Sequence, residues 1–320
     1  MAHVRAVHFR RPFSFLLAIL LAALLSLTVR SQSQTLITSD SLLNTGSPLS
    51  ATYTAPGSSG ATSVVHLATN PSIPLWMFYP DPYGVSSGSG TIVQNYSGSG
   101  SFVETISLSG LPGGGVDGYP FILYGCDQYT DCWNGQPPQF PRQLSAMSSL
   151  IVDFTYSMTG TINGSRNIDL LFDQWVCDKS NPTGISDCLE VMTCPYYSFP
   201  GGTGQPLVRT INQSATINGV PGTLSWDEYD GHPGQNMILV PHVLPGPASQ
   251  EIRFDVLQLM NQAVTDFGSP TFTWLMGIEP GSEFGGNSSQ SYTLTISKLD
   301  IEQSLGSLPA APTNLNAVVH

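Results

Sequence analysis

The sequence predicts an all-β protein, a sandwich of antiparallel sheets with one packed helix, and three observations carry that prediction. Short runs of strict apolar–polar alternation recur from about residue 91. Gly, Pro and Asn turns separate them. Charged residues make up only 10% of a chain that holds 32 Gly and 25 Pro, a composition of many turns and few long helices.

The elements follow in order along the chain. Arg5, Arg10 and Arg11 precede the apolar stretch PFSFLLAILLAALLSLTV, and RSQSQT follows with small and polar residues. A basic start, an apolar centre and a small-residue exit describe a secretory leader over residues 1–31, with cleavage near Ser31 or Ser33. At 18 residues the stretch is also long enough to remain as an anchor, so both readings stand. Removing 1–31 takes away four of the ten basic residues and no acidic one, leaving six against 22, or −16. Such a surface repels nucleic acid and anionic lipid and suits an uncharged or cationic partner. The expectation is an extracellular monomer with no membrane association after leader cleavage.

Residues 32–85 are rich in Ser, Thr and Gly and read as an N-terminal extension with one or two strands around SVVHLATN and PLWMFYP. The main domain is expected over 86–303 and a tail over 304–320. In SLIVDFTYSM, Leu150, Val152, Phe154, Tyr156 and Met158 alternate with Ile151, Asp153, Thr155 and Ser157. SYTLTISKL repeats the pattern with Tyr292, Leu294 and Ile296. Both are half-buried strands. FDVLQLMNQAVTDFG breaks the period, placing Phe254, Leu257, Val264 and Phe267 at helical spacing before Gly268.

Five cysteines in an exported chain imply disulfides and one thiol left over. Cys126 and Cys132 bracket a short loop. Cys177 and Cys188 flank a polar turn and are placed to staple a hairpin, which leaves Cys194 free; a Cys177–Cys194 pair is the alternative. No CxxC, HExxH or His cluster is present, so no metal or other cofactor is expected. Gly84 to Gly88 fits G-x-S-x-G without the strand-to-helix setting a serine nucleophile needs.

The chemistry lies in the carboxylates. In DCLEVMTC, Glu190 shares a strand face with Cys188, Met192 and Cys194, while Leu189, Val191 and Thr193 point into a core. A carboxylate on a half-buried face is costly unless paired, solvated by a cleft or in use. In NIDLLFDQWVCD, Asp169, Leu171, Asp173 and Trp175 share one face, and an antiparallel return through 178–187 brings an Asp beside Glu190. Close carboxylates cannot both ionise cheaply. WLMGIEPGSEFGG holds Glu279 beside Pro280, and Glu283 between Gly281 and Gly285–Gly286, where backbone can approach a ligand closely.

Six blocks between residues 91 and 302 resemble glycoside hydrolase family 12, secreted endo-β-1,4-glucanases and xyloglucanases, in the family's order. They are GYPFILYGCDQYTDC, FPRQLSAMSSLIVDFTY, NIDLLFD, LEVMTC, RFDVLQLMNQAV and WLMGIEPGSEFGG. The resemblance implies a jelly roll of two curved antiparallel sheets with an open substrate groove on the concave face. By position it implies Glu190 as nucleophile, Glu283 as acid/base, Asp169 as the carboxylate sharing a proton with Glu190, and Met192 beneath the sugar. The family's Asn-Asn-x-Trp-Gly becomes IVQNYSGSG, which keeps Asn95 and offers Tyr96 in place of the Trp. Tyr124, Trp133, Trp175, Trp226 and Phe284 are the further candidate sugar contacts, with Tyr129 and Tyr229 beside them. The C-terminal LPAAPTNLNAVVH resembles the opening strand of a fibronectin type III module.

The activity so implied is retaining endo-hydrolysis of β-1,4-glucan: xyloglucan, mixed-linkage glucan or amorphous cellulose. The alternatives are a non-catalytic carbohydrate-binding jelly roll, which the missing Trp favours, and a retaining xylanase.

Overall fold

The computed structural model describes residues 34–38, 49–55, 65–66, 76–82, 85, 87–98, 101–112, 115–127, 140–160, 167–199 and 203–306. The alternating runs become strands. In chain order they are β1 (Gln34–Thr38), β2 (Leu49–Ala55), β3 (Val65–His66), β4 (Trp76–Tyr79), β5 (Ser89–Tyr96), β6 (Phe102–Ser109), β7 (Val116–Gly118) and β8 (Phe121–Gly125). Next come β9 (Arg142–Gln143), β10 (Met147–Gly160), β11 (Asn167–Cys177), β12 (Cys188–Tyr197), β13 (Leu207–Ile217), β14 (Val220–Asp230), β15 (Asn236–Pro241) and β16 (Ser249–Asp255). Helix α1 (Val256–Phe267) precedes β17 (Trp274–Leu275), β18 (Gly277–Gly285) and β19 (Ser289–Leu305).

The pairings form two layers of one folded-over sheet. The outer layer runs β2-β5-β6-β19-β10-β16, with β1 also along β19. The inner layer runs β3-β4-β8-β18-β11-β12-β15-β14. Strand β13 pairs with β14 of the inner layer and, at Thr216 and Ile217, with β16 of the outer, so the sheet turns the corner there. This is the curved, nearly closed jelly roll that the sequence blocks imply.

Period-2 alternation decides what each face does. From the outer layer, Leu150, Val152, Phe154, Tyr156, Leu294 and Ile296 enter the core between the layers. Ile168, Leu170, Phe172, Leu189, Val191, Ile278 and Phe284 meet them from the inner layer. The opposite face of the inner layer carries a second cluster that includes Tyr79, Phe121, Leu171, Met192 and Cys194.

The helix begins where the strand period ends. Asp255 caps its N-terminus by accepting from the Leu257 N–H at 3.1 Å, and the same carboxylate accepts from the Leu150 N–H on β10 at 3.0 Å. Gly268 ends it in the left-handed conformation at φ 78°, a position that favours glycine. Val256, Leu257, Leu259, Met260 and Ala263 are the buried face.

The sequence reading treated 32–85 as an extension, yet β1, β2 and β4 within it pair with β19, β5 and β8. The expected strand at PLWMFYP is β4; β1 and β2, whose residues are mostly Ser, Thr and Ala, carry too little apolar signal to announce themselves and are held by their partner strands. Residues 307–320, with the fibronectin-like segment, and the expected leader over 1–31 lie outside the described residues. Among the described residues no helix is long and apolar enough to cross a membrane.

The disulfide Cys177–Cys188 joins β11 to β12, closing the hairpin on which Glu190 stands, and Cys194 is a buried free thiol. Cys126 is also disulfide-bonded, while Cys132 lies outside the described residues.

Two stability outcomes follow. Replacing Cys177 and Cys188 together by Ala lowers the unfolding free energy by about 2–4 kcal/mol in urea titration, because the reduced chain regains loop entropy. Asp255→Ala costs about 1–2 kcal/mol, the upper end of a lost helix cap, since Leu150 loses its acceptor as well.

Candidate active site

The site is built on β11, the middle strand of three. On its open face stand Asp169, Leu171, Asp173 and Trp175; β12 flanks it on one side and β18 on the other. The register fixes the neighbours. Trp175 faces Glu190 of β12, and Asp173 faces both Met192 of β12 and Glu279 of β18. Asp169 faces Glu283 of β18.

The face opens into two adjoining hollows of about 550 and 440 Å³. The first is lined by Tyr79, Asp81, Asp127, Asp173, Trp175 and Glu279 among others, the second by Asn167, Tyr197, Phe199, Thr203 and Asn236 among others. Glu190, Met192 and Glu283 line both, so a continuous groove passes over them.

Asp173 donates a side-chain hydrogen bond to Glu190. Burial, then the charges of Glu190 and Glu279, drive Asp173 well above the carboxylate range, which keeps the shared proton on it. Glu190 is pushed up to about 7 by burial, and the Asp173 hydrogen bond restrains that rise by favouring the anion. Glu279, 3% exposed, is raised well above its usual value by burial and by the charges of Asp127, Asp81 and Glu190. The Trp175 side chain hydrogen-bonds to Glu279, and the Tyr119 hydroxyl donates to the Glu279 backbone carbonyl. One carboxyl is thus held protonated beside another whose rise its hydrogen bond restrains, so the two titrate apart, as acid/base and nucleophilic chemistry requires.

Behind the groove, Ser282 of β18 donates to Glu104 of β6 and bonds Tyr292 at 2.8 Å. Gln94 Nε2 donates to Glu104 at 3.3 Å and to the Phe121 carbonyl at 3.1 Å. This polar strut crosses the apolar core and pins β18. Burial pushes Glu104 up to about 8.

Several sequence assignments shift. The carboxylate hydrogen-bonded to Glu190 is Asp173; Asp169 faces Tyr197 of β12 and feels Glu190 only as the last of several influences on its titration. Glu283 shares Asp169's level, whereas Glu279 is two positions from Glu190's level, about 7 Å. Register therefore brings Glu279 closer to Glu190 than Glu283.

Tyr96, Tyr124, Trp226 and Phe284 sit in the core between the layers, at most 2% exposed, and cannot touch a ligand in the groove. Phe284 follows Glu283, so strand alternation turns it away. Asn95 is exposed on β5 of the outer layer, facing away from the core that receives Tyr96. Trp175 and Met192 do line the groove. Trp133 and Tyr129 lie outside the described residues. Gly281 and Gly285 serve the neighbouring chain rather than a ligand: a Cβ on either would strike Pro120 or Gly115 backbone oxygen.

The sequence reading missed Tyr79, Tyr119 and Phe121, which stack in series with ring centroids 4.8 and 5.0 Å apart along the groove floor. The signal for Tyr79 was WMFYP, an aromatic run inside a segment discounted for its Ser-rich surroundings.

No protein-family model and no curated protein matches the chain. Solved structures do. A metagenome-derived glycoside hydrolase family 12 endoglucanase superposes with a TM-score of 0.59 at 16% identity, covering 81% of this chain and 99% of that one. The family 12 xyloglucanase from Bacillus licheniformis gives 0.56 at 15% identity, over 81% and 100%. Endoglucanase 3 of Trichoderma harzianum, also family 12, gives 0.53 at 18%, over 78% and 100%. The fold is the jelly roll of the family 12 structures.

The raised carboxyls have a consequence for stability. Glu190 and Glu104 titrate near 7 and 8 when folded, against about 4.3 in the unfolded chain. The folded state binds more protons between those values, so their contribution is full below about pH 4 and is lost as pH rises through 7 to 8. The melting temperature is expected to fall between pH 5 and pH 8, and Glu104→Gln to flatten the upper part of that fall. A melting temperature that rises over this range contradicts the assignment.

Proposed function

We propose that the protein is an exported, retaining endo-glycosidase that hydrolyses β-1,4-linked glucan, with xyloglucan or mixed-linkage glucan as substrate. Glu190 is the nucleophile and Glu279 the acid/base. The observation that carries this reading is the Glu190–Asp173–Glu279 constellation across three adjacent strands, in the first of two adjoining hollows, with Glu190 where the two meet.

The chemistry follows from the proton positions. Glu279, held neutral by burial and its acidic neighbours, gives its proton to the glycosidic oxygen as the bond to the anomeric carbon breaks. Glu190 attacks that carbon, and the Asp173 hydrogen bond steadies its carboxylate before attack. Glu279, now anionic, takes a proton from water; the water attacks the anomeric carbon and releases Glu190 as carboxylate. Two inversions leave the configuration retained. A retaining pair needs carboxyls about 5–5.5 Å apart, a span suited to two glutamates leaning together over one intervening strand. Met192, which lines both hollows, and the Tyr79–Phe121–Tyr119 stack supply apolar surface for sugar faces; each such contact contributes on the order of 1 kcal/mol.

The test is release of reducing sugar from barley glucan and xyloglucan. Glu190→Gln and Glu279→Gln each lower kcat by roughly 10²–10⁴-fold with the circular dichroism spectrum unchanged. Glu283→Gln retains at least tenfold more activity than Glu279→Gln. The reverse order returns the acid/base role to Glu283, and binding without cleavage by the wild type makes the protein a carbohydrate-binding jelly roll.

A further inference from the structure

Several polar side chains lie in the core where the alternation of their strands calls for apolar ones. In FVETISLS, Glu104 takes the inward position between Phe102 and Ile106, and Gln94 faces it in register from β5. Tyr292 of β19 enters the core from the same layer. Ser282 meets them from the inner layer, on the opposite face of β18 from Glu279 and Glu283 by strand parity. Gln94, Glu104 and Ser282 are wholly buried. Ser282 Oγ donates to Glu104 Oε1 and bonds the Tyr292 hydroxyl at 2.8 Å. Gln94 Nε2 donates to Glu104 Oε2 at 3.3 Å and to the Phe121 carbonyl of β8 at 3.1 Å. The network therefore ties the outer layer to β18 and β8, two strands whose other faces line the groove.

Stability does not account for this network. Well-packed apolar side chains of similar volume would hold the layers together at least as well. The network is also incomplete, since Gln94 Oε1 has no hydrogen-bond partner among the described residues. Directional bonds supply something that apolar packing does not, a fixed position. Strand β18 needs one here. Against β11 it pairs continuously from Glu279 to Gly285. Against β8 it pairs at Gly277, Ile278 and Gly281 and skips Glu279 and Pro280, where the proline brings no N–H. Side chains close that gap from both faces. The Tyr119 hydroxyl donates to the Glu279 carbonyl from the groove, and Ser282 is held by Glu104 from the core.

We infer that Glu104 is a positioning residue for the acid/base: through Ser282 it fixes the level of β18, and with it the reach of the Glu279 carboxyl to the glycosidic oxygen. The inference rests on the hydrolase reading with Glu279 as acid/base, and adds to it a residue on the far side of β18 from the substrate. Glu104 touches no sugar and exchanges no proton with one. Its effect is geometric: a misplacement of about 1 Å in a reacting group costs on the order of 10²-fold in rate. The loss falls on proton transfer rather than on attack, because Glu190 and Asp173 stand on β12 and β11.

The experiment compares two substrates on the full protein. Barley glucan needs a proton on its departing sugar oxygen, whereas dinitrophenyl cellobioside expels a phenolate that needs none. Azide accompanies the second substrate; as an anion it attacks the anomeric carbon of the glycosyl-enzyme and releases Glu190 as carboxylate without a general base. Ser282→Ala and Glu104→Leu are expected to lower kcat on glucan by roughly 10–100-fold with KM little changed, and to leave the aryl glycoside rate in azide within about threefold of the wild type. Glu104→Gln, which keeps an acceptor for Ser282, retains most of the glucan rate. Ser282→Ala carries the comparison should Glu104→Leu fail to fold. Equal losses on the two substrates, or no loss on glucan from either variant, overturn the inference and leave the hydrolase reading standing. A wild type that cleaves neither substrate removes the hydrolase reading and the inference with it.

Discussion

The hydrogen bond from Asp173 to Glu190 is the constraint around which the rest of the site is arranged. It exists because β11 lies between β12 and β18, with a register that sets Asp173 level with Met192 on one side and Glu279 on the other. A shift of one residue would turn every carboxylate of β11 into the apolar core and every core residue into the groove. The apolar half of the strand, Ile168, Leu170, Phe172 and Val176, therefore holds the acidic half in place. The Cys177–Cys188 bond fixes the same register from the hairpin end, and the Ser282–Glu104 strut fixes β18 from behind.

Burial does two opposite things in this groove. It lifts Glu279 and Asp173 out of the normal titration range, which supplies protons where the proposed chemistry wants them. It also makes the fold pay in stability for every carboxylate that ionises there. Glu190 escapes part of this because Asp173 donates to it. The groove is a place where stability is given up to hold carboxyl groups in unlike protonation states, and its pH response is the physical trace of that compromise.

Much of the fold was legible. The alternation of β10 and β19 named Leu150, Val152, Phe154, Tyr156, Met158, Tyr292, Leu294 and Ile296, all buried, but not Leu299 and Ile301, because a register shift beside Tyr156 and Ile296 changes the parity of β19. The helix was legible from its spacing and from Gly268, except that Phe254 belongs to β16 and the helix starts two residues later, at Val256. So was the face of Glu190, because Leu189 and Val191 commit the neighbours to the core. Among the N-terminal strands the one at PLWMFYP was legible, whereas β1 and β2 were not, because their own residues carry little apolar signal. Within the site, period 2 put Asp169 and Asp173 on one face and could go no further. Which of them meets Glu190 depends on inter-strand register, a tertiary quantity. The same holds for Glu279 and Glu283. The aromatics failed for a different reason: Tyr124 and Phe284 were taken for their chemistry without asking which way they point, although parity with Glu283 already turned Phe284 inward.

The central claim is that Glu190 is the nucleophile of a covalent double displacement. The most direct measurement is incubation of the full protein with a 2-fluoro cellobioside carrying a good leaving group, followed by mass spectrometry of the intact protein and of its peptides. The account predicts one added disaccharide per chain, located on the peptide that contains Glu190, and no adduct on the Glu190→Gln protein. A stable adduct on Glu279 or Glu283, or turnover that labels no residue, would contradict it.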